Sequence, residues 1–599
     1  MTKNAQDDAG GRRASALRRL AGPAVIVLAA LLATAPQLMR GDSCGHDFDF
    51  HLVSWFDAAQ SWRQGIVYPH WSQSANYGAG EPRFVFYPPI SWMLGAALGM
   101  ILPWKAVSMM LTFLLLAGAG LATRALAREA LADGPATLAG CAALFSGYAL
   151  FTAYERSDFA ELTGGIWIPL LLLFALSDRS KSGNPWRRAL DGSTAPLALV
   201  VAGAWLSNAP LGVMASYLLA AVALTAAWLA RSWAPVIRAS IAGALGLGLA
   251  AVYLVPAAVE EAWVNIQEVV SDPGYLIENN WLFAHHAIPG FAYHDLELDR
   301  VSWIATVMIA VALAAIAVCR WRGRMPGGRG WWIVLALIPA TVLFLELPPS
   351  DLLWRALPKM RFLQFPWRWL VVAQAPLGIF FASAVWVERR RVRPVALGAC
   401  GAVFLGAMLI AGWNFFQPCD DEDNVQAMMD VYRSGAGFEG TDEYAPAYVS
   451  DTAVAMSLPA ACLAKTPSTA LGKGTPGIDL EWSKDEGSCE ATFEAAKNEE
   501  SSAEHWVLNA DIPQAGYLIL RLRSYPAWRV RLNGVTVTDL PEREDGLIAV
   551  PVARGPARVT ADWTTTPDVS RARLLSALAL VLLAAVFALE RRQARGRVS

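Results

Sequence analysis

The chain alternates between long apolar runs and short basic segments. Apolar stretches fall at 21–40, 105–125, 136–152, 165–178, 195–208, 210–230, 238–257, 301–319, 331–346, 368–387, 394–413 and 573–590. Most approach the roughly 20 residues that a helix needs to cross a bilayer. The pattern predicts a polytopic α-helical membrane protein with about 12–13 spans. The thirteenth would be Pro89–Trp104, which is apolar but short, as expected of a segment lying in or dipping into the outer leaflet. If it crosses, a short span at 165–178 or 195–208 must not, or the Arg-rich tail would change sides.

Residues 414–572 are patterned differently. They are polar and rich in Gly, Pro, Asp and Glu, with an apolar run on each side. Tyr517–Arg523 and Trp528–Leu532 alternate like half-buried strands, and Ala557–Trp563 reads as another. Asn533-Gly534 and Asp545-Gly546 are tight-turn signals. A small antiparallel β domain, a sandwich, is expected here, with Gln426–Val449 forming helix and loop that pack back onto the membrane part. The organisation is then a basic N-terminus (1–20), a transmembrane domain (21–413) with a first outer loop at 41–104, the mostly-β outer domain (414–572), a final span (573–590) and a tail (591–599).

Charge sets the orientation. Arg and Lys gather in Arg124–Arg128, Arg179–Arg188, Arg231–Arg238, Arg320–Arg329, Arg389–Arg393 and Arg591–Arg597, which the positive-inside rule places in the cytoplasm with both termini. Arg12, Arg13, Arg18 and Arg19 precede a run too long for a signal-peptide core, so an uncleaved first span is expected. Composition agrees: 55% of the 599 residues are hydrophobic and 17% charged, against about a quarter charged in soluble proteins. The formal net charge of −2 gives no basic footprint for nucleic acid. Of seven cysteines, Cys141, Cys319 and Cys400 lie in apolar runs. Cys44, Cys419, Cys462 and Cys489 lie in segments placed outside, where disulfides persist. Cys462–Cys489 is the favoured pair and Cys44–Cys419 a second, but spacing does not settle connectivity.

The residues able to carry chemistry sit at outer span ends. The first outer loop opens His46-Asp47-Phe48-Asp49-Phe50-His51, two carboxylates flanked by histidines, which suits a general base or a cation site. Trp71, Tyr77–Arg83 and Phe86–Pro89 mix aromatics, Gly and Pro and include Glu81 and Tyr87, a composition for stacking sugars or meeting headgroups as well as for an aromatic belt. Tyr154–Glu161 carries Glu155 and Arg156, and Met360–Trp369 carries Arg361, Gln364 and Arg368. Ionisable groups beside a bilayer are costly and so are candidates for a functional site, with snorkelling at the interface as the alternative, and arginine is suited to phosphate. His285 and His286 lack helical ligand spacing and read as loop histidines. The chain has no phosphate-loop, G-x-S-x-G or H-E-x-x-H signature, which removes support for ATP-driven transport and metalloprotease chemistry.

Taken in order, four stretches resemble the GT-C superfamily of membrane glycosyltransferases, closest to the YfhO-like and 6-pyruvoyl-tetrahydropterin synthase-related membrane proteins. They are His46–His51 with Gly65, Tyr68-Pro69, Asn76–Gly78 and Phe86–Pro89; Ser146–Tyr148 with Glu155-Arg156 and Trp167–Pro169; Arg361–Arg368; and Tyr525–Val530 with Asn533-Gly534 and Gly546-Leu547. The resemblance implies transfer of a sugar from a polyprenyl-phosphate carrier to an envelope glycan, lipid or protein at the outer face of a bacterial inner membrane. It implies Asp47 as base or orienter, with Asp49 second. His51, Glu81, Tyr87, Glu155, Arg156, Arg361, Gln364 and Arg368 would bind substrate, the arginines at phosphate. No cofactor follows with certainty; a divalent cation is the one to consider, although the second outer loop has no D-x-D pair. A non-catalytic transporter and an envelope-glycan assembly factor are the alternatives. Charges placed almost entirely at span ends argue against the first, and finding sugar transfer intact after removal of 420–565 would separate the second from the transferase reading.

Overall fold

The computed structural model describes residues 20–180, 182–389, 391–449, 452–472, 480–484, 489–494 and 501–595. The basic N-terminal residues before Leu20 and the last four residues of the tail lie outside it. Among the described residues, six helices are long and apolar enough to cross a membrane: Trp104–Ala127, Ala209–Ala230, Ala292–Trp321, Pro366–Val385, Arg393–Asn414 and Pro567–Arg595. Three more candidates are bent pairs, broken by 44° after Leu144, by 70° after Leu249 and by 97° after Leu345. Shorter apolar helices at Leu20–Ala33, Phe159–Ala175 and Thr194–Ser207 fall where the remaining runs were read. The chain is a polytopic α-helical membrane protein with a small antiparallel β unit before its last apolar helix. Pro89–Gly99 is helical, but at about 1.5 Å per residue it reaches roughly half of the ~30 Å hydrocarbon core.

Several breaks follow from local sequence. Ser146 caps the helix that restarts at Gly147, its hydroxyl accepting from the Ala149 N–H. Pro348 and Pro349 follow Leu345 closely, and proline cannot continue the helical ladder. The bend after Leu144 brings the chain to Thr152–Arg156, a wider helical turn that ends on Ser157 in the left-handed region (φ 51°).

The β unit is a sandwich. One sheet has the order β2 (Ala491–Phe493), β1 (Ala461–Ala464), β4 (Gly516–Arg523), β7 (Leu547–Val552). The other has β3 (His505–Ile512), β8 (Gly555–Trp563), β5 (Trp528–Leu532), β6 (Val535–Thr536). Leu518, Leu520 and Leu522 of β4 share one core with Val530, Val559 and Ala561 of the opposite sheet. Ile519 points the other way, into a second cluster with Cys462 and Ala549, as the two-residue period of a strand requires. Asn533 (φ 51°) and Gly534 (φ 83°) form the β5–β6 turn, both in the left-handed region that a two-residue hairpin of this kind needs.

The loop 41–104 is clamped from two sides. Both disulfides foreseen among Cys44, Cys419, Cys462 and Cys489 form, Cys44–Cys419 and Cys462–Cys489. The first joins the start of the loop to the chain leaving Arg393–Asn414. On the far side, the Arg523 N–H donates to the Ala79 carbonyl at 2.9 Å, and Trp71 packs among Tyr525, Trp528 and Trp563. The helix Val425–Ser434 lies between them, with Val425 and Met428 in the membrane-domain core.

Candidate functional site

Asp47 lies at the start of the helix Phe48–Arg63. Its loop is laid against the segment Thr152–Arg156 by backbone pairing: the His46 N–H donates to the Glu155 carbonyl at 3.2 Å and the Asp47 N–H to the Arg156 carbonyl at 2.8 Å. Gly45 permits this approach, because a Cβ there would lie 2.4 Å from the Glu155 carbonyl oxygen. Ser157 completes the joint, donating through Oγ to the Ser43 carbonyl at 2.7 Å and accepting from the Gly45 N–H at 3.2 Å.

This joint presents Asp47 to the buried guanidinium of Arg156. An Arg156 terminal N–H donates to Asp47 Oδ2 at 2.8 Å, the other reaches Glu161 Oε2 at 3.3 Å, and Asp158 Oδ2 is 3.7 Å away. Arg368 meets the same Glu161 oxygen through Nε at 3.1 Å, and Tyr148 donates its hydroxyl to the other Glu161 oxygen. Phe365 and Trp367 lie 5.5 and 5.2 Å from the Arg156 guanidinium carbon, and Phe365 lies 5.1 Å from that of Arg368. Asp47, Asp158, Glu161, Arg156 and Arg368 thus form one network that is closed inward and open at Asp47. The Asp47 side chain is 31% exposed, against 6% for Asp158 and 1% for Glu161.

His51, one helical turn on, is fully buried against Phe50, Tyr87, Trp55 and Phe159. Its Nε2 stands 3.7 Å from Asp158 Oδ1, an electrostatic contact too long for a hydrogen bond, so neither ring nitrogen is satisfied among the described residues. Asp158 lies between the helical segments, at the cap of Phe159–Leu162, where its Oδ1 accepts from the Glu161 N–H at 2.8 Å. Burial pushes its carboxyl up, but His51 and the guanidinium groups of Arg156 and Arg368 outweigh burial and hold it well below the usual carboxylate range. Tyr87 packs edge-on to Phe50 at 4.8 Å, within electrostatic reach of Asp47, Asp158 and Arg368.

Of the residues singled out from sequence, Asp47, His51, Tyr87, Arg156 and Arg368 come together, with Gln364 bracing Arg368 through Oε1 at 3.1 Å. Gln364 and Ser157 both hold positive φ, 63° and 51°, the strained backbone that side chains rarely adopt. Asp49 does not join them. It faces solvent, and its carboxylate accepts from the Phe50 N–H at 2.7 Å. Glu81 is fully buried and holds loops together: it accepts from Arg83 Nε at 2.7 Å, Asn76 at 3.1 Å and the Thr441 N–H at 2.8 Å. Glu155 turns away to pair with Arg300. Arg361 is held by both Glu278 oxygens, at 2.9 and 2.7 Å. For Glu155 and Arg361, folding supplies a partner that local sequence does not show.

Asp158 and Glu161 are the acids that residue-by-residue selection passed over in favour of Glu155. A signal was present: an acid followed three residues later by Glu is a helix-start signature, and it placed both on one short helix facing Arg156. The donor set does not suit a divalent cation. Each buried carboxylate already faces a guanidinium, and only Asp47 has appreciable exposure, whereas hard cations gather about six or more oxygens. Elsewhere, His286, His294 and Asp295 bring ligand-type atoms within 4.8 Å of one another, but His286 Nδ1 and Asp295 Oδ1 satisfy each other at 2.7 Å.

The chain matches no protein-family model and no curated protein. Among solved structures it is similar to the mycobacterial arabinofuranosyltransferase AftD, with 19% identity and a TM-score of 0.39 over 65% of this chain. A second AftD structure, the mutant R1389S, gives 18% identity and the same TM-score over 66% of this chain. This chain spans about a quarter of AftD's length, 26% and 28% in the two structures.

Proposed function

We propose that this protein is a membrane glycosyltransferase of the GT-C kind, of the YfhO-like branch, acting at the outer face of a bacterial inner membrane. It would move a sugar from a polyprenyl-phosphate carrier to an envelope glycan, lipid or protein. The observation that carries the reading is the Asp47–Arg156–Glu161–Arg368 network, in which one partly exposed carboxylate is fixed by a buried guanidinium.

In the proposed reaction Asp47 accepts the proton of the acceptor hydroxyl as that oxygen bonds to the anomeric carbon. The bond from that carbon to the carrier phosphate breaks, and its electron pair leaves with the phosphate. Arg156 and Arg368 stabilise that charge in a region where water is scarce. Arg156 touches both the base and the inner acids, so it also fixes where the acceptor must stand. Tyr87 and Phe50 would shape the entry for the carrier's headgroup. Arg361, paired with Glu278 and 37% exposed, would offer a further guanidinium to the carrier phosphate.

The test is transfer from a polyprenyl-phosphate sugar by the purified protein, supported by lipid analysis of a deletion strain for accumulated carrier-linked sugar. Asp47→Asn should abolish transfer while the protein still accumulates in the membrane. Full activity in Asp47→Asn would refute the assignment.

A further inference from the structure

A second cavity is separate from the Asp47 network. About 610 Å³ lies between the far end of the first-loop helix, the helix Val425–Ser434 and the β sandwich. Its walls mix rings and guanidinium groups: Trp104, Tyr432 and Trp506 with Arg63, Arg433 and Arg521. The rings are half-buried, and Arg63 and Arg433 are exposed. Phe56 sets two of the rings, packing 4.7 Å from Trp104 and 5.2 Å from Tyr432. The Tyr432 hydroxyl is anchored on Asp57 at 3.1 Å, and Arg521 is anchored on the Leu458 carbonyl at 2.9 Å. Several walls are therefore pre-set, as in sites that bind with little reorganisation.

Three arginines make poor walls for a hydrocarbon tail, and the rings rule out a simple ion well. Sugars match both features. Their C–H faces lie on aromatic rings, their hydroxyls take hydrogen bonds from arginine, and carboxylate or phosphate substituents take bidentate ones. The volume falls in the ~300–1,000 Å³ range of ligand sites. Position fits as well. At about 1.5 Å of rise per residue, Phe56 lies roughly 13 Å and Gln60 roughly 20 Å along the first-loop helix from Asp47.

We infer that this groove binds an oligosaccharide bearing acidic groups and so positions the body of a glycan whose end reaches toward Asp47. The acceptor role rests on the transfer reading above; the binding itself does not. The test is intrinsic tryptophan fluorescence of the purified full-length protein titrated with a hexasaccharide of galacturonic acid, maltohexaose or farnesyl phosphate. The acidic hexasaccharide should bind saturably and more tightly than maltohexaose. Trp506→Ala should weaken it at least tenfold, as should the exposed pair Arg63→Ala with Arg433→Ala, which leaves the core untouched; Trp506→Phe should retain most of the affinity. Absence of saturable oligosaccharide binding, equal affinity in the arginine variant, or displacement by farnesyl phosphate would overturn the inference. Asp47→Asn separates the two proposals. Groove binding should persist in that variant, and transfer surviving in it would remove the catalytic reading without touching the groove.

Discussion

Replacing Arg156 with Met removes one guanidinium that faces three carboxylates, at 2.8 Å (Asp47), 3.3 Å (Glu161) and 3.7 Å (Asp158). At an effective dielectric near 20, each such pair is worth about 5 kcal/mol in Coulomb energy. Those energies do not add, because desolvating the ions opposes them. Asp47 is also nearly one-third exposed, which screens its share. The loss is governed instead by the acids left behind, Asp158 and Glu161, with Arg368 still on Glu161. Removing one partner of a buried ion pair costs about 3–5 kcal/mol, and the surviving Arg368 contact puts the expected cost at the lower end, about 3 kcal/mol. The assay is SDS titration of the purified protein in mixed micelles, followed by tryptophan fluorescence. Adding Glu161→Gln to Arg156→Met should restore at least ~1 kcal/mol, since contacting residues couple by about 0.5–3 kcal/mol. pH gives a second reading. Burial already pushes the Glu161 carboxyl up to about 7 against the lowering pull of Arg368 and Arg156, and without the Arg156 guanidinium the folded-state pKa of Glu161 and that of Asp158 both rise. The folded state then binds more protons in that window, and the variant's deficit shrinks as pH falls from 8 to 5. A deficit below ~1 kcal/mol that is flat with pH would show that Arg156 is a surface cation without a structural network.

Asp49→Asn should retain near-full transfer where Asp47→Asn loses it, because Asp49 faces solvent outside the network; equal losses in the transfer assay would contradict this. Gly45→Ala should cost about 1–3 kcal/mol and much of the activity, since its Cβ would sit 2.4 Å from the Glu155 carbonyl oxygen; a melting temperature and turnover like those of the parent would refute that close approach. Burial, with Glu81, Asp442 and Glu268 nearby, pushes the Glu443 carboxyl up to about 7. The folded state therefore holds its proton longer than the unfolded chain does, and this group costs stability as pH rises from the ordinary carboxylate range through about 7. Glu443→Gln should raise the melting temperature at pH 8 and leave it nearly unchanged at pH 4; the reverse order would refute the sign.

The sequence alone determined the architecture along the chain. A span is announced by its own run of apolar residues because lipid offers no partner for a bare backbone. The six long helices, the bent pairs and the short apolar helices accordingly fall where the runs were read. The alternation of Tyr517–Arg523, Trp528–Leu532 and Ala557–Trp563 and the Asn533-Gly534 turn signal are equally local, and so β4, β5 and β8 were legible while the other strands of the sandwich were not. Which charge meets which was not. Asp47 and Arg156 were both singled out, but Glu155 and Arg361 look no different from Arg156 and Arg368 in one dimension. Only the folded chain gives Glu155 to Arg300 and Arg361 to Glu278, leaving Arg156 between Asp47 and Glu161. The reason is geometric: a Coulomb partner is chosen by a few ångströms of separation and by exclusion of water, and both are set by long-range contacts such as Gly45 against the Glu155 carbonyl and the Cys44–Cys419 bridge.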